Sequence, residues 1–184
     1  MRRILIIFGL TVVSLPAATL EYLSLDDMAK QSTAIVRGRV QSCAGEFRGS
    51  VIFTHCKVAV TEQWKGASQP LVDVATPGGT AMGMAQNFPG SPKLTQGQEY
   101  VLFLWTGKSG MTQVIGLSQG VFDLKPAATG LSAGQAKEQA IAQRAATTER
   151  MLDAAGNVIS DSPLEMRVRE LKARVVQSLA DETK

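Results

Sequence analysis

The sequence predicts a mainly β fold, a small OB-like antiparallel barrel with a short N-terminal helix and a C-terminal amphipathic helix. Three observations carry this expectation. Ala34, Val36, Gly38 and Val40 alternate with Ile35, Arg37, Arg39 and Gln41, the two-residue period of a strand. Tyr100 to Trp105 is an unbroken apolar run, which fits a strand buried on both faces. Leu164, Val168, Leu171, Val175 and Leu179 form one stripe at helical spacing.

In chain order, Met1-Arg2-Arg3 supplies a positive start. Ile4 to Leu15 is uncharged and mostly apolar, and Pro16-Ala17-Ala18-Thr19 offers small residues to a signal peptidase. This is the three-part layout of an export signal. A membrane span needs about 20 apolar residues, so the run is short for an anchor. Residues 1–19 therefore read as a cleaved signal, and the mature chain as exported, periplasmic or secreted. No later segment is apolar and long enough to predict a stable membrane span.

A short helix opens at Ser24, with Asp27 placed for a capping box and with Leu25 and Met28 facing inward. The first strand starts near Thr33, and Gly38 within it signals a bulge or bend. A turn is expected at Gly45 to Ser50. Ile52, Thr54, Cys56, Val58, Val60 and Trp64 then share one face of a long strand, with a bend expected inside it. Gly66 ends it. Leu71 to Thr76 is the next strand, and Tyr100 to Trp105 pairs through the turn Gly107-Lys108-Ser109-Gly110 with Gln113 to Leu117. Val121 to Leu124 is the last barrel strand. These segments make residues 20–125 one domain.

Residues 126–150 are rich in Ala, Gln and Thr, and Leu131 and Ile141 alone bury little, so this stretch reads as a connector. Residues 151–184 hold a hairpin, Met151-Leu152 with Val158-Ile159, and the last helix. Ser162, Pro163 and Glu165 supply that helix with a cap, a first-turn proline and a capping box.

Charge and cysteine content narrow the function. The chain carries a net charge of +3. Without Arg2 and Arg3 the mature part holds seventeen cations against sixteen anions. A near-neutral domain has no bulk attraction for nucleic acid, so no nucleic-acid partner is expected. Cys43 and Cys56 are a candidate disulfide in an oxidising compartment. Simple alternation puts them on opposite faces. A bulge near Gly38 or Ser42 would bring Cys43 to the inner face.

Several chemistries are excluded. Gly116-Leu117-Ser118-Gln119-Gly120 spells G-x-S-x-G, but a nucleophile elbow needs a following helix, and Val121 to Leu124 reads as strand. The partner histidine would have to follow Ser118, and the one histidine is His55. Gly107-Lys108-Ser109 lacks the first glycine and the helix of a phosphate loop. His55, Cys43 and Cys56 are too few and point apart, so no metal or cofactor is expected. Glu62 is the one acid on an apolar strand face and suits a barrel rim.

Pro77 to Gln98 is a 22-residue insertion with five glycines and three prolines. Loops this long are functional or disordered. Met82, Met84 and Phe88 give it adaptable apolar side chains, either to plug a barrel end or to bind a partner. Arg37, Arg39 and Lys57 form a second candidate surface on the barrel's polar face.

Ile35-Val36-Arg37-Gly38-Arg39-Val40, Phe53-Thr54 running to Trp64-Lys65-Gly66, and Glu99-Tyr100-Val101-Leu102-Phe103-Leu104 together resemble the netrin-like module. That module is the OB-type barrel of tissue inhibitors of metalloproteinases. The resemblance covers about residues 33 to 124, and it implies such a barrel and a protease-inhibitor-like function. Those inhibitors chelate the protease zinc through an N-terminal cysteine. Here the mature start lies near Thr19 or Leu20 and the first cysteine is Cys43, so the chelating device does not carry over. The chain also resembles an uncharacterised family of exported bacterial proteins, which implies no activity.

The sequence thus predicts an exported, non-catalytic binding or interaction module for an unknown protein or small ligand. A protease-inhibitor-like protein is the alternative. A hydrolase using Ser118 and a structural envelope component are further rivals.

Overall fold

A computed structural model describes residues 19–126 and 132–182. The predicted signal lies outside the described residues except for Thr19, and Leu131 lies outside them too. The first half contains β1 (Thr19–Glu21), α1 (Leu25–Gln31), β2 (Ala34–Arg48), β3 (Val51–Lys65), β4 (Leu71–Pro77), β5 (Gly79–Ala81) and β6 (Met84–Gln86). It continues with β7 (Glu99–Thr106), β8 (Thr112–Val114), a 3₁₀ turn at Leu117–Gly120, and β9 (Val121–Lys125). The last part holds α2 (Ala133–Gln139), β10 (Ile141–Arg144), β11 (Arg150–Leu152), β12 (Val158–Ile159), β13 (Leu164–Arg167) and α3 (Val168–Glu182).

The fold is mainly β, with helices near both ends. The large sheet has the order β13-β10-β9-β7-β2-β3-β4-β8, and β8 also pairs with β7. Five strands, β2, β3, β4, β8 and β7, therefore close a ring. One edge of β7 is shared. Leu104 to Thr106 pair with β8, while Tyr100 to Leu102 pair with β9. The sheet splays at that point, the ring turning one way and β9-β10-β13 the other. The weakest seam of the ring is β4 against β8, a parallel contact with the single register pair Ala75↔Gln113.

Two cores follow from the alternation. Val36, Val40, Cys56, Val58, Val74, Tyr100, Leu102, Leu104 and Val114 form one cluster within the ring. Ile35, Val101, Phe103 and Phe122 join Met28 of α1 and Val168, Leu171 and Val175 of α3 in the other. Neighbouring residues of β7 thus enter different cores, so the unbroken apolar run has two faces to fill. The Ser24 capping box forms as expected, with Asp27 N donating to Ser24 Oγ over 3.1 Å.

Four expectations are corrected. Gly45 to Arg48 belong to β2, and the turn is confined to Gly49 and Ser50. The ladder to β3 slips at Ile35/Val36, Arg37/Gly38 and Val40/Ser42. Each slip changes which side chains face inward, so Trp64 packs with the helical core rather than with Val58. The last helix starts at Val168, not at Pro163, because Leu164–Arg167 pairs antiparallel with β10. That ladder satisfies backbone groups which a helix would otherwise have to satisfy locally. The expected connector supplies α2 and β10, and Ala142 within it is fully buried. The sheet accordingly continues beyond Val121–Lys125 rather than ending there.

Candidate functional site

The seam between β4 and β8 opens into a cleft of about 340 Å³. Leu20, Pro92, Trp105, Val114, Ile115 and Leu117 give it apolar walls, and Glu21, Gln31 and Gln113 bring polar groups to it. No Lys, Arg or His lines it.

One wall is a locked turn. Gly116 adopts φ +61°, which a glycine takes at little cost, and Leu117 follows at φ +55°. For a leucine this left-handed conformation costs on the order of 1–2 kcal/mol. Gln119, 1% exposed, holds the turn in place. Its Nε2 donates to the Glu21 carbonyl over 2.8 Å, and its Oε1 accepts from Leu23 N over 2.9 Å. The two bonds tie the turn to the end of the N-terminal strand and to the segment that leads from it into α1. Ser118 N donates to the Gly90 carbonyl over 3.2 Å, tying the turn also to the long loop. The G-x-S-x-G segment is thus a strand-to-strand clamp, with the strain on Leu117 rather than on Ser118. Strain of this kind clusters at ligand sites.

Trp105 also lines the cleft, 47% exposed although it belongs to the most buried strand of the fold. A Cβ on Gly107 would lie 2.9 Å from its Cη2 and 3.0 Å from its Cζ3. A side chain at residue 107 would therefore crowd the indole, and glycine leaves it room.

A second cleft of about 390 Å³ continues past Thr76, Pro77 and Pro92, and is lined by Thr54, Gly78, Gln86, Lys93 and Leu94. The long loop shapes it through the β5–β6 hairpin. Gln86 fastens that hairpin to the β2–β3 turn, its Oε1 accepting from Ile52 N over 2.6 Å and its Nε2 donating to the Ser50 carbonyl over 2.9 Å. Met82 and Met84 stand at the hairpin tip, 91% and 57% exposed, and Phe88 is 37% exposed. The two methionines do not plug the ring; they project from it.

Arg37, Arg39 and Lys57 part company. Arg37 is 2% exposed, so it leaves the solvated face on which the alternation placed it. It donates to Glu99 over 2.9 Å, to Glu62 over 3.0 Å and to the Lys137 carbonyl over 3.1 Å. Arg39 stays exposed, bonded to the Gly97 carbonyl over 2.6 Å. Lys57 contacts Asp73 over 2.7 Å, and His55 Nδ1 lies 3.3 Å from the same carboxylate. His55 and Asp73 line a separate polar cleft with Glu46 and Arg48. Glu62 sits at a junction of strand and helix rather than at a free rim. It accepts from Arg37, from Trp64 Nε1 over 3.2 Å and from Lys172 of α3 over 2.8 Å. Burial alone would push its carboxyl up. The bonds from Lys172 and Trp64 and the charges of Lys172 and Arg37 outweigh burial and hold it below its usual value.

Cys43 and Cys56 are joined in a disulfide. No described helix is long and apolar enough to cross a membrane. No family model matches the chain, and no curated protein or solved structure matches it either.

Sequence reading did not single out Trp105, Gln119 or Glu21. A signal existed for Trp105, an aromatic at the end of an apolar strand with a glycine two residues on. Gln119 lay inside a segment read only for its serine.

Proposed function

We propose that the chain is an exported, non-catalytic binding module whose ligand enters the cleft at the β4–β8 seam. The observation that carries this reading is a half-exposed tryptophan that shares one cleft with a clamped, strained turn. A tryptophan that belongs to a buried strand yet stays exposed exchanges burial for access. Strained backbone held by a buried glutamine keeps its shape when a ligand arrives, so little ordering cost is added on binding. Mixed apolar walls with a few polar groups are the usual lining of a small-ligand site. The disulfide supports an oxidising compartment, and export is the simplest route to one.

The test is a titration of the ¹⁵N-labelled mature protein with a chemically varied set of small neutral fragments. Shifts gathering on the amides of Thr76, Gln113, Ile115 and Leu117 support the reading. Shifts gathering on the hairpin tip at Met82 and Met84 instead would move the binding function to the loop. No shift at any of these amides would refute it.

A further inference from the structure

The polar groups of the seam cleft carry an inference about ligand class, and it rests on the reading of that cleft as the binding site. We propose that the cleft takes a saccharide ring, neutral or amino-substituted, stacked on Trp105.

Trp105 lines the cleft and is half-exposed, and the missing side chain of Gly107 leaves room beside the edge of its six-membered ring. A pyranose presents a flat face of C–H bonds, each slightly positive, and an aromatic face is negative, so the two attract. The rim of such a ring is a belt of hydroxyls, each both donor and acceptor. Amide side chains, with two donors and an acceptor oxygen, suit neighbouring hydroxyls. Gln31, Gln113 and Glu21, two amide residues and one acid, are among the residues that line the cleft. Among the described residues, no side-chain hydrogen bond within the chain occupies any of these three.

Other ligand classes fit less well. An anion would want a cation, and none lines the cleft. A purely apolar ligand would leave the Gln and Glu groups desolvated without partners, which weakens binding. With an acidic residue and no basic one in its lining, the cleft accepts a neutral sugar and favours an amino sugar.

The experiment is calorimetry of the mature protein with four tetrasaccharide probes. They are a neutral glucose tetramer, a neutral N-acetylglucosamine tetramer, the deacetylated cationic form of the latter, and an anionic galacturonic acid tetramer. At least one neutral tetramer or the cationic one is expected to bind more tightly than the anionic one. Trp105→Ala is expected to weaken that binding about tenfold, the worth of one aromatic stack, and Trp105→Tyr to restore most of it. Glu21→Gln is expected to weaken the cationic probe selectively. Trp105 is exposed, so these variants should fold, and circular dichroism melts check that they do. Four outcomes overturn the proposal. No tetramer binds at millimolar concentration, the anionic one binds best, Trp105→Ala binds as well as wild type, or Glu21→Gln weakens neutral and cationic probes alike. A neutral apolar dye separates this failure from failure of the broader reading. If the dye binds in a Trp105-dependent way while no sugar does, the cleft remains a ligand site and the saccharide class is wrong. If neither binds, both proposals fall.

Discussion

Cys43 and Cys56 stand directly opposite each other across the β2–β3 ladder, and they do so because Gln41 is skipped. Val40 pairs with Val58 and Ser42 with Lys57, so one residue of β2 has no counterpart. Such a bulge reverses the facing of every residue beyond it. It turns Cys43 toward Cys56, which is fully buried in the ring core.

The bridge spans a sequence separation of 13. Closing a loop of that length is worth about 3 kcal/mol in the chain-entropy model. Reduction, or the double variant Cys43→Ser with Cys56→Ser, should lower the urea midpoint by a corresponding amount. Equal midpoints with and without dithiothreitol would show that the tight hairpin already constrains the unfolded chain.

Arg144 and Asp161 form the most buried ion pair among the described residues, with side chains 6% and 2% exposed. The geometry is a fork, Nη1 to Oδ2 and Nη2 to Oδ1, both over 2.7 Å. Removing one partner strands the other charge out of water, which costs about 3–5 kcal/mol. Asp161→Ala should therefore lower stability by that order, read as a urea midpoint. Asp161→Ala combined with Arg144→Met should recover part of the loss, because no charge is then left unpaired.

Gly45 has no room for a side chain. A Cβ there would overlap the Thr80 carbonyl oxygen, since β5 lies directly on β2. Gly45→Ala should push the β5–β6 hairpin away and cost about 1–3 kcal/mol. Limited proteolysis should then cut within residues 79–86 faster than in wild type. Met82→Ser with Met84→Ser tests the same hairpin from outside. Both side chains are exposed, so stability should change by no more than about 0.5 kcal/mol.

The period-two pattern made β2, β3 and β7 legible, because each buries at least one face along several residues. Even the disulfide was legible as a condition, for the facing of Cys43 demanded a bulge. The short strands β10 and β13 were not. Ala142 is the kind of small residue that any segment can hold, and it becomes core only once β9 offers an edge at Leu124. Likewise Pro163 and Glu165 spell a helix start, yet residues 164–167 pair with β10 instead. The cleft was the least visible feature. It exists because Ala75 and Gln113 meet at the seam, and nothing local to either residue announces that meeting. Arg37 shows the same limit. Alternation placed it on the polar face, but α2 and its own ion pairs cover that end of the face.

Stability at acid pH should be governed by three carboxyls with shifts of opposite sign. Glu62 and Asp161 are both held below their usual values. For each, burial opposes ionisation, but hydrogen bonds and nearby cations from Lys172, Trp64 and Arg37, or from Arg144 and Thr147, prevail. A carboxyl with a depressed folded value stabilises the fold above its ordinary value and loses that contribution as pH falls through the folded value. The loss should begin near 4.5 for Glu62 and near 3.8 for Asp161 and continue below. Asp123 behaves oppositely. Burial raises its carboxyl, with the Lys125 charge opposing, so ionisation there costs stability and protonation restores it. Urea midpoints measured from about pH 7 down to about pH 3 should therefore fall, with the steepest descent below 4.5. Glu62→Gln should lower the neutral plateau and flatten that descent, whereas Asp123→Asn should raise the plateau and steepen it. A descent unchanged by Glu62→Gln would mean that the Lys172 and Arg37 contacts do not form in solution. In that case α3 would be held to β3 by apolar packing around Trp64 alone.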